Sequence, residues 1–324
     1  MLNERPRYPV AGVDYPRTLG EFQQWFASEA ACQDYLERVR WRDGFVCPDC
    51  GGTQSWKTRR GLFRCTSCQR QTSVTAGTVF EGTRKPLQMW LQALWYITGI
   101  KQGGSAMGLR QVLGLGSYQT AWAWLHKLRR AMVRPGRDRL TGEVEVDETY
   151  LGGVEHGVDG RETQNKNIVA IAVEIRGRAM GRVRLAHVAD VSAHSLVSFV
   201  CGAVTEGSTV RTDGWWSYTG LPAHGYDHRP IKISKQSDPA HVVMPHVHRI
   251  ASLLQRWCLG TYQGAIRSAH LDYYLDEFTF RFNRRRSRSR GLLFHRLVEQ
   301  ALHADPVPYR SLVGGKSLAP SHNP

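Results

Sequence analysis

Two Cys-x-x-Cys motifs near the amino terminus constrain the fold of this chain more than any other feature. The first pair is Cys47 and Cys50, and the second is Cys65 and Cys68. Four thiolates satisfy a tetrahedral zinc ion, and a gap of two residues lets one tight turn present both sulfurs of a pair. The motifs predict a zinc ribbon over residues 41–80 with a structural zinc ion. Chance pairs or a redox dithiol are the alternative interpretation.

The composition indicates a globular protein with a polyanionic partner. The chain has 324 residues, of which 41% are hydrophobic, so it is long enough for two or three domains. Lys and Arg number 43 against 28 Asp and Glu, and the formal net charge is +15. Such a balance favours nucleic acid as the partner, and an ordinary basic protein is the alternative.

No run of 18 apolar residues is present, so the sequence predicts no membrane span. The first residues also lack the apolar core of a signal peptide, and we therefore expect a cytoplasmic protein. The seven cysteines fit a reducing compartment better than a set of disulfides. The three cysteines outside the motifs are interpreted as buried hydrophobic residues. They are Cys32, Cys201 and Cys258.

Helical patterns flank the predicted ribbon. Residues 1–40 are predicted to form an N-terminal helical segment, in which Thr18 can cap a helix. Residues 84–135 read as three helices separated by glycine pairs, a pattern typical of a helix-turn-helix DNA-binding segment. A plain three-helix bundle is the alternative. The last of these helices carries the basic residues predicted to contact DNA, which are Lys127, Arg129 and Arg130.

From about residue 140 the hydrophobic period becomes that of strands. The order of predicted elements is β-β-β-α-β, followed by helices up to residue 302 and a flexible tail at 303–324. Aspartates stand at the first and fourth strands, which is the pattern of a ribonuclease H-like α/β domain over residues 140–302. The chain is thus predicted to be a multidomain α/β protein. The predicted elements are strands at 143–150, 168–175, 183–191 and 208–212 and a helix at 193–204.

The two strand-associated aspartates are Asp147 and Asp213. Taken singly, each is more simply a turn residue or a helix cap. Together they suggest a two-metal arrangement, in which paired ions activate an attacking oxygen and stabilise a leaving one. Magnesium suits this chemistry because it binds through few carboxylates and keeps positions open for phosphate oxygens and water. The sequence therefore predicts a catalytic Mg²⁺ or Mn²⁺ site at this pair.

Several motifs together resemble the DDE-class transposases of bacterial insertion sequences, and within them the group with an N-terminal zinc ribbon. The motifs are VEVDETYLGG at 144–153, TDGWWSY at 212–218, GTY at 260–262, YLDEFTFRFNRR at 274–285 and the ribbon segment from Phe63. The resemblance runs from about residue 18 to about residue 300. It implies an enzyme that cuts and joins DNA at the ends of its own element.

The same resemblance assigns further roles. Asp147 and Asp213 match the first two acidic residues of the DDE set. The ribbon and the helices would bind the terminal inverted repeats of double-stranded DNA, in the nucleoid of a bacterial cell. Bringing two ends together implies a homodimer or a higher oligomer. The arginine run after residue 283 is a candidate for tracking phosphates, with a solvated tail as the alternative. Its candidate residues are Arg284, Arg285 and Arg286.

The third acidic residue of the DDE set is not matched directly. By position relative to the GTY motif, His248 stands where many relatives have Glu, and Gln255 stands where they have Lys. Glu277 is the other candidate, on a helix with an arginine seven residues later, although an ion-paired helix face is its simpler interpretation. Glu145 is a minor alternative, because strand alternation places it on the same side as Asp147.

Three functions follow from these observations. The first is a DNA transposase that performs metal-dependent cleavage and strand transfer at terminal inverted repeats. The second is a catalytically inactive or domesticated zinc-ribbon protein that only binds DNA. The third is a metal-dependent nuclease with the same core. The identity of the third ligand, beside Asp147 and Asp213, separates the first function from the second.

Overall fold

The computed structural model describes residues 8–134, 136–152, 166–231, 240–263 and 266–314. These residues form two compact units. The first unit contains the chain up to Arg134 and the segment that begins at Arg286, and the second unit lies between them. No helix among the described residues is both long enough and apolar enough to cross a membrane.

The elements of both units follow the order of the chain. The helices are α1 (Leu19–Trp25), α2 (Glu29–Arg40), α3 (Leu87–Gly99), α4 (Ala106–Leu113), α5 (Tyr118–Ala131), α6 (Ala193–Ala203), α7 (Ala240–Val243), α8 (Pro245–Tyr262), α9 (Leu271–Asn283), α10 (Arg290–His303) and α11 (Tyr309–Val313). The strands are β1 (Ser55–Lys57), β2 (Phe63–Cys65), β3 (Gln71–Thr72), β4 (Glu143–Leu151), β5 (Asn167–Arg176), β6 (Ala179–Val188), β7 (Thr209–Thr212) and β8 (Asp227–Pro230).

The N-terminal helical segment consists of two helices. Thr18 caps α1, because its hydroxyl accepts a hydrogen bond from the Glu21 N–H at 3.2 Å. Ser28 caps α2 in the same way, through the Ala31 N–H. A serine cap satisfies backbone donors that the first turn of a helix leaves without partners. The cap at Ser28 is therefore the reason that the pattern over residues 18–40 does not form one continuous helix.

The ribbon is a three-stranded antiparallel sheet with the order β1-β2-β3. A cluster of aromatic side chains packs next to the cysteines of the ribbon. Phe45 and Phe63 stack with ring centroids 5.6 Å apart, and Trp41 lies 4.5 Å from Phe63. Phe45 packs with Cys47 and Cys65 in one buried cluster. A sheet of this size buries little apolar surface, so its stability depends on additional bonds such as those to a metal ion.

Helices α3, α4 and α5 pack together in the first unit. Gly114 ends α4 in the left-handed conformation (φ +62°), a conformation that glycine adopts without steric cost. Trp90 of α3 stacks on Trp124 of α5 with ring centroids 3.8 Å apart. The glycine breaks in the sequence thus mark the ends of real helices, and large aromatic contacts hold those helices together.

Helix α10 belongs to the first unit, which differs from the predicted domain over residues 140–302. Phe294 of α10 is fully buried among aromatic rings of the N-terminal helices, including Phe22, Phe26 and Trp95. A Cβ at Gly291 would clash with the Pro16 carbonyl oxygen, so α10 approaches the N-terminal backbone closely. Long-range packing of this kind leaves no mark on local sequence patterns.

The second unit is built on a five-stranded mixed sheet with the order β6-β5-β4-β7-β8. Strand β5 is antiparallel to both neighbours, whereas β4, β7 and β8 are parallel. Helix α6 covers one face, where Val144 and Val146 pack against Leu196 and Val200. Helices α8 and α9 cover the other face. The predicted strands and helix are present within a few residues, and β8 is an addition at the sheet edge.

Candidate functional site

The two predicted aspartates belong to neighbouring segments of the sheet, because Asp147 lies in β4, Asp213 follows β7, and these two strands pair in parallel. Glu145 of β4 pairs with Arg211 of β7. The pairing ends there and Asp213 directly follows β7. The same register continued by two residues would set Asp147 beside Asp213, since neighbouring strands lie about 4.8 Å apart in a sheet. Because alternate residues of a strand share a face, Asp147 stands with Glu145 on the side of the sheet that α8 covers.

Each aspartate also makes a local hydrogen bond that orients its carboxylate. Asp147 Oδ1 accepts from the Glu148 N–H at 2.9 Å, and Asp213 Oδ1 accepts from the Trp215 N–H at 3.0 Å. Gly214, which lies between Asp213 and Trp215, adopts φ +81°, and this conformation permits the tight turn after β7. Asp147 is buried and Asp213 is half-buried. The turn geometry thus fixes Asp213 at the end of its strand.

The pKa of Tyr218 reflects the negative charge at this end of the sheet. Its side chain is completely buried, and its hydroxyl donates to Glu148 Oε2 at 3.1 Å. Burial raises the pKa of Tyr218 well above its usual value, and the charges of Glu148, Asp147 and Asp213 raise it further. Three carboxylates therefore lie close enough to act on one phenol. Such a concentration of negative charge is the environment that attracts cations.

Helix α8 runs along β4 and contacts three successive residues of the same strand face. Glu145 meets His246, Asp147 meets His248, and Thr149 accepts a hydrogen bond from Gln255 at 3.2 Å. The strand interval from 145 to 149 spans about 13 Å at 3.3 Å per residue. The helix interval from 246 to 255 spans about 13.5 Å at 1.5 Å per residue. The matching lengths mean that α8 lies parallel to β4, over the carboxylates.

His248 is the side chain that α8 delivers to Asp147. Its Nε2 atom lies 3.7 Å from Asp147 Oδ2, and the imidazole is about a third exposed. A neutral imidazole is a metal ligand through either ring nitrogen. The structure therefore places one of the two predicted candidates for the third position directly beside the first aspartate.

Glu145 has a role that the sequence did not reveal. Its fully buried carboxylate accepts from the backbone N–H groups of His246 and Val247, both at 2.9 Å, and contacts His246 Nδ1 at 2.9 Å. Helix α8 begins at Pro245, and the preceding Met244 supplies no side-chain cap. Glu145 therefore acts as the cap from a neighbouring strand. The absence of a capping residue before Pro245 is the sequence signal that could have indicated a cap supplied by another element, such as Glu145.

Glu277, the other candidate for the third position, is occupied elsewhere. Its side chain is completely buried and accepts from Arg281 Nη2 at 2.7 Å and Nε at 2.9 Å. The Tyr262 hydroxyl donates to its second oxygen at 3.2 Å. The basic partner is thus Arg281, one helical turn away, rather than Arg284. These contacts join α9 to the end of α8.

The four predicted zinc ligands converge in the ribbon. Their sulfurs all lie within 4.8 Å of one another, and the Cys47–Cys68 and Cys50–Cys65 distances are both 3.6 Å. Tetrahedral zinc with Zn–S bonds of about 2.3 Å requires sulfurs roughly 3.8 Å apart, so this cluster fits the ion. Backbone N–H groups, chiefly those of Cys50 and Cys68, lower the pKa values of the Cys47 and Cys65 thiols. Among the described residues this is the one cluster of that size and closeness.

The predicted DNA-contacting residues of α5 differ in their exposure. Arg129 is only 2% exposed, and its Nη2 atom donates to the Gly104 carbonyl oxygen at 3.1 Å. Arg129 thus ties α5 to the loop before α4. Lys127 and Arg130 are half-buried, and burial lowers the pKa of Lys127. Only part of this basic group reaches solvent.

The arginines after α9 also divide into structural and exposed members. The Arg284 guanidinium lies over the Phe280 ring, 4.1 Å from its centroid. Arg285 donates to the Gly181 carbonyl oxygen at 3.2 Å and to that of Met180, so it covers the edge of β6. An unpaired sheet edge is otherwise open to aggregation. Arg286 is exposed and belongs to the first unit.

Comparisons with known proteins agree with both parts of this description. Residues 139–283 match a family model described as an ISXO2-like transposase domain, and residues 27–71 match a transposase zinc-ribbon domain. A protein of Halobacterium salinarum, described as an uncharacterized protein in transposable element ISH50, is similar to this chain. The two are 28% identical over 282 residues, which cover 79% of this chain and 91% of the relative.

These findings define the class of the protein. The ribbon match contains all four clustered cysteines, and the transposase match contains the sheet with Asp147, Asp213 and His248. Both families imply contact with DNA, which agrees with the net charge of +15. The chain thus carries a transposase zinc-ribbon domain and an ISXO2-like transposase domain, and it is similar to a protein of a transposable element.

Proposed function

We propose that the protein is a DDE-type DNA transposase that performs metal-dependent cleavage and strand transfer at the terminal inverted repeats of its element. Its second unit is a ribonuclease H-like domain, and its catalytic residues are Asp147, Asp213 and His248. The strand order β6-β5-β4-β7-β8, with the second strand antiparallel, supports this fold. The ions are Mg²⁺ or Mn²⁺, and the ribbon holds a structural zinc ion.

The observation that carries the proposal is the convergence of three donor groups at one end of the sheet. The parallel register of β4 and β7, continued by two residues, supports a side-by-side placement of the two aspartates, and His248 of α8 has an imidazole nitrogen 3.7 Å from Asp147. Two carboxylates and one neutral imidazole make a donor set for a divalent cation. Histidine is a softer ligand than magnesium prefers, so Mn²⁺ should serve this site at least as well.

The side chains would divide the work of phosphoryl transfer as follows. Asp147, Asp213 and His248 would hold divalent ions, and such ions would supply polarisation of phosphate oxygens and a lower pKa for a nucleophilic water. Asp147 and Asp213 supply the oxygens that fix those ions, and His248 orients the site from the helix side. In the first step a water oxygen attacks the phosphodiester and the 3′-oxygen of the element end leaves with a proton. In the second step that 3′-hydroxyl attacks target DNA, so a P–O bond forms as another breaks.

Recognition of the element belongs to the first unit in this proposal. The zinc ribbon and the helices α3 to α5 contact the inverted repeats, through Lys127, Arg130 and Arg286 among others. Joining two ends in one reaction requires at least two catalytic sites, and we therefore propose a homodimer or a larger assembly on DNA. These contacts position the duplex and supply the salt-dependent part of the affinity.

A strand-transfer assay tests the proposed function. The purified zinc-loaded protein is incubated with labelled element-end DNA, a target plasmid and Mg²⁺ or Mn²⁺, alongside Asp147→Ala and Asp213→Ala. We expect joined products from the wild-type protein and a loss of at least about 1,000-fold in both variants, because each removes an oxygen ligand. Asp272→Ala, on a helix of the same unit, serves as the control that retains activity.

The other outcomes identify the alternatives. Cleavage without joining would indicate a nuclease. Tight binding of the element end with no metal-dependent cleavage would indicate a catalytically inactive DNA-binding protein. The replacement of the usual glutamate by His248 is the one observation that favours this second alternative. The proximity of His248 to Asp147 favours the active enzyme.

A further inference from the structure

A cleft in the first unit lies apart from the three donor groups of the proposed catalytic site. It encloses about 540 Å³ between α2, the turn that joins β1 to β2, and the segment leading into α3. Its volume is in the range of specific ligand sites. All of its walls belong to one unit, so its shape does not depend on the position of the second unit.

Cross-element hydrogen bonds build the walls of this cleft. Gln33 of α2 donates to the Gly61 carbonyl oxygen at 3.2 Å, which fixes the hairpin turn against the helix. Glu29 of α2 accepts from the backbone N–H groups of Leu87 at 2.7 Å and Gln88 at 3.3 Å. Helix α3 has no side-chain cap of its own, so Glu29 performs that function. The cleft is therefore preformed.

The charge at the rim of the cleft is positive. Arg60, Arg84 and Lys85 line it and are exposed, and within the described part of the chain none of the three has an ion-pair partner. The nearby carboxylates are already engaged. Glu29 caps α3, and Glu37 accepts from Lys57 at 2.9 Å. The three cations are thus available to an incoming anion.

The chemistry of the lining distinguishes between parts of a nucleic acid. The lining also includes the hydroxyls of Ser73, Thr75 and Thr83, and among the described residues no aromatic side chain lines the cleft. Aromatic platforms are the usual means of stacking unpaired bases, whereas cations and hydroxyls contact phosphate and sugar. We propose that this cleft seats the sugar–phosphate backbone of duplex DNA, with Arg60 and Arg84 each neutralising a phosphate. The inference rests on the proposed function, in which the first unit binds element ends.

Salt dependence of binding counts the phosphates that a protein neutralises. The logarithm of the association constant falls with the logarithm of salt concentration, with a slope of about 0.9 for each phosphate contact. The experiment measures fluorescence anisotropy of a labelled element-end duplex between about 50 and 250 mM salt, without divalent metal. For Arg60→Ala/Arg84→Ala we expect the slope to fall by about 2, with equal weakening on an element and a shuffled duplex.

Two further variants make the test specific to the cleft. Lys101→Ala/Arg310→Ala removes two exposed cations of the same unit that do not line the cleft, and it should leave the slope unchanged. Arg60→Lys/Arg84→Lys keeps both charges and should restore most of the slope. Zinc content of one ion per chain and an unchanged circular dichroism spectrum show that each variant is folded.

The outcomes separate this inference from the proposed function. An unchanged slope in Arg60→Ala/Arg84→Ala, with wild-type binding intact, overturns the cleft alone. An equal fall in the control variant also overturns it, because the effect would then come from general surface charge. Failure of the wild-type protein to bind any duplex overturns both the cleft and the proposed function.

Discussion

His248 is the residue that most distinguishes this site from a metal site built only of carboxylates. Its imidazole lies 3.7 Å from Asp147, whereas Glu277 is buried against Arg281. A metal ligand and a merely structural histidine predict different results for the same substitutions. Substitutions of this single residue therefore test the chemistry of the site most simply.

Replacing His248 distinguishes these roles. We expect His248→Ala to reduce cleavage of element-end DNA by at least about 100-fold, because loss of a ligand weakens ion binding. His248→Glu should retain activity and shift the preference from Mn²⁺ toward Mg²⁺, since carboxylate oxygen is the harder ligand. Cleavage rates are measured over a range of each metal ion. Arg256→Ala on the same helix is the control, and full activity in His248→Ala would exclude the ligand role.

Glu174 allows the pH dependence of folding stability to be tested at a single residue. Burial alone would raise its pKa, but hydrogen bonds from Arg182 outweigh burial and lower the pKa from 4.5 to about 2. A carboxyl with a lowered pKa stabilises the folded state when ionised. Its contribution is therefore complete above about pH 4.5 and is lost as the pH falls toward about 2.

The expected result is a pH-dependent difference between two proteins. At pH 7 we expect Glu174→Gln to lower the free energy of unfolding by about 2 kcal/mol, a figure reduced from the full linkage value because the arginine partners are partly solvated. Near pH 3 the difference from the wild-type protein should shrink to less than about 1 kcal/mol. Urea unfolding at each pH provides the measurement, with Glu206→Gln as an exposed control. A constant difference across this range contradicts the account.

At the scale of elements, the contact between β4 and α8 assembles the proposed site. Strand β4 carries Asp147, and α8 carries His248. Glu145 joins the two elements by accepting hydrogen bonds from the first N–H groups of α8. The cap therefore sets the register in which the histidine faces the aspartate.

Two substitutions at Glu145 test that register. Glu145→Ala leaves backbone N–H groups at the start of α8 without an acceptor, which costs about 2–3 kcal/mol. We also expect it to raise the Mn²⁺ concentration for half-maximal cleavage at least about tenfold, with DNA affinity unchanged. In Glu145→Gln the amide oxygen can accept from both N–H groups, and its NH₂ can donate to His246 Nδ1. That variant should behave like the wild-type protein. Unchanged metal dependence in Glu145→Ala would rule out a positioning role.

The elements also show how far the sequence predicts the structure. Strand periodicity located β4 to β7, and the helical pattern over 193–204 located α6, within a few residues, because those signals are local. Residue spacing likewise predicted the cysteine cluster. The return of α10 to the first unit was not predicted, since Phe294 is buried by residues distant in sequence. The capping role of Glu145 was missed for the same reason, because its partners lie about 100 residues away.

At the scale of the whole molecule, the chain combines a metal-stapled unit with a sheet-based unit. The ribbon has short strands and a small aromatic core, whereas the sheet of the second unit is covered by helices on both faces. Structural zinc contributes on the order of 10–16 kcal/mol to such ribbons. The two units should therefore respond differently to removal of metal.

Zinc removal tests this division. Treatment with a strong chelator, or the substitution Cys65→Ser, should unfold the ribbon and reduce affinity for the element-end duplex at least about 100-fold. The second unit should keep its resistance to proteolysis, because its core contains no zinc ligand. Metal content, anisotropy and limited proteolysis are measured on the same samples, and readdition of Zn²⁺ should restore binding. Full DNA affinity at zero zinc content contradicts the assignment of the cysteines.

The central claim is that Asp147, Asp213 and His248 hold divalent ions against the phosphate that reacts. Sulfur in place of one non-bridging oxygen of the scissile phosphate tests it most directly, because Mg²⁺ binds sulfur poorly and Mn²⁺ accepts it better. The measurement compares single-turnover cleavage of each phosphorothioate diastereomer with that of the unmodified element end. We predict that one diastereomer is cleaved at least about tenfold more slowly in Mg²⁺ and recovers in Mn²⁺. Equal cleavage of both diastereomers and the unmodified DNA in Mg²⁺ would contradict the account.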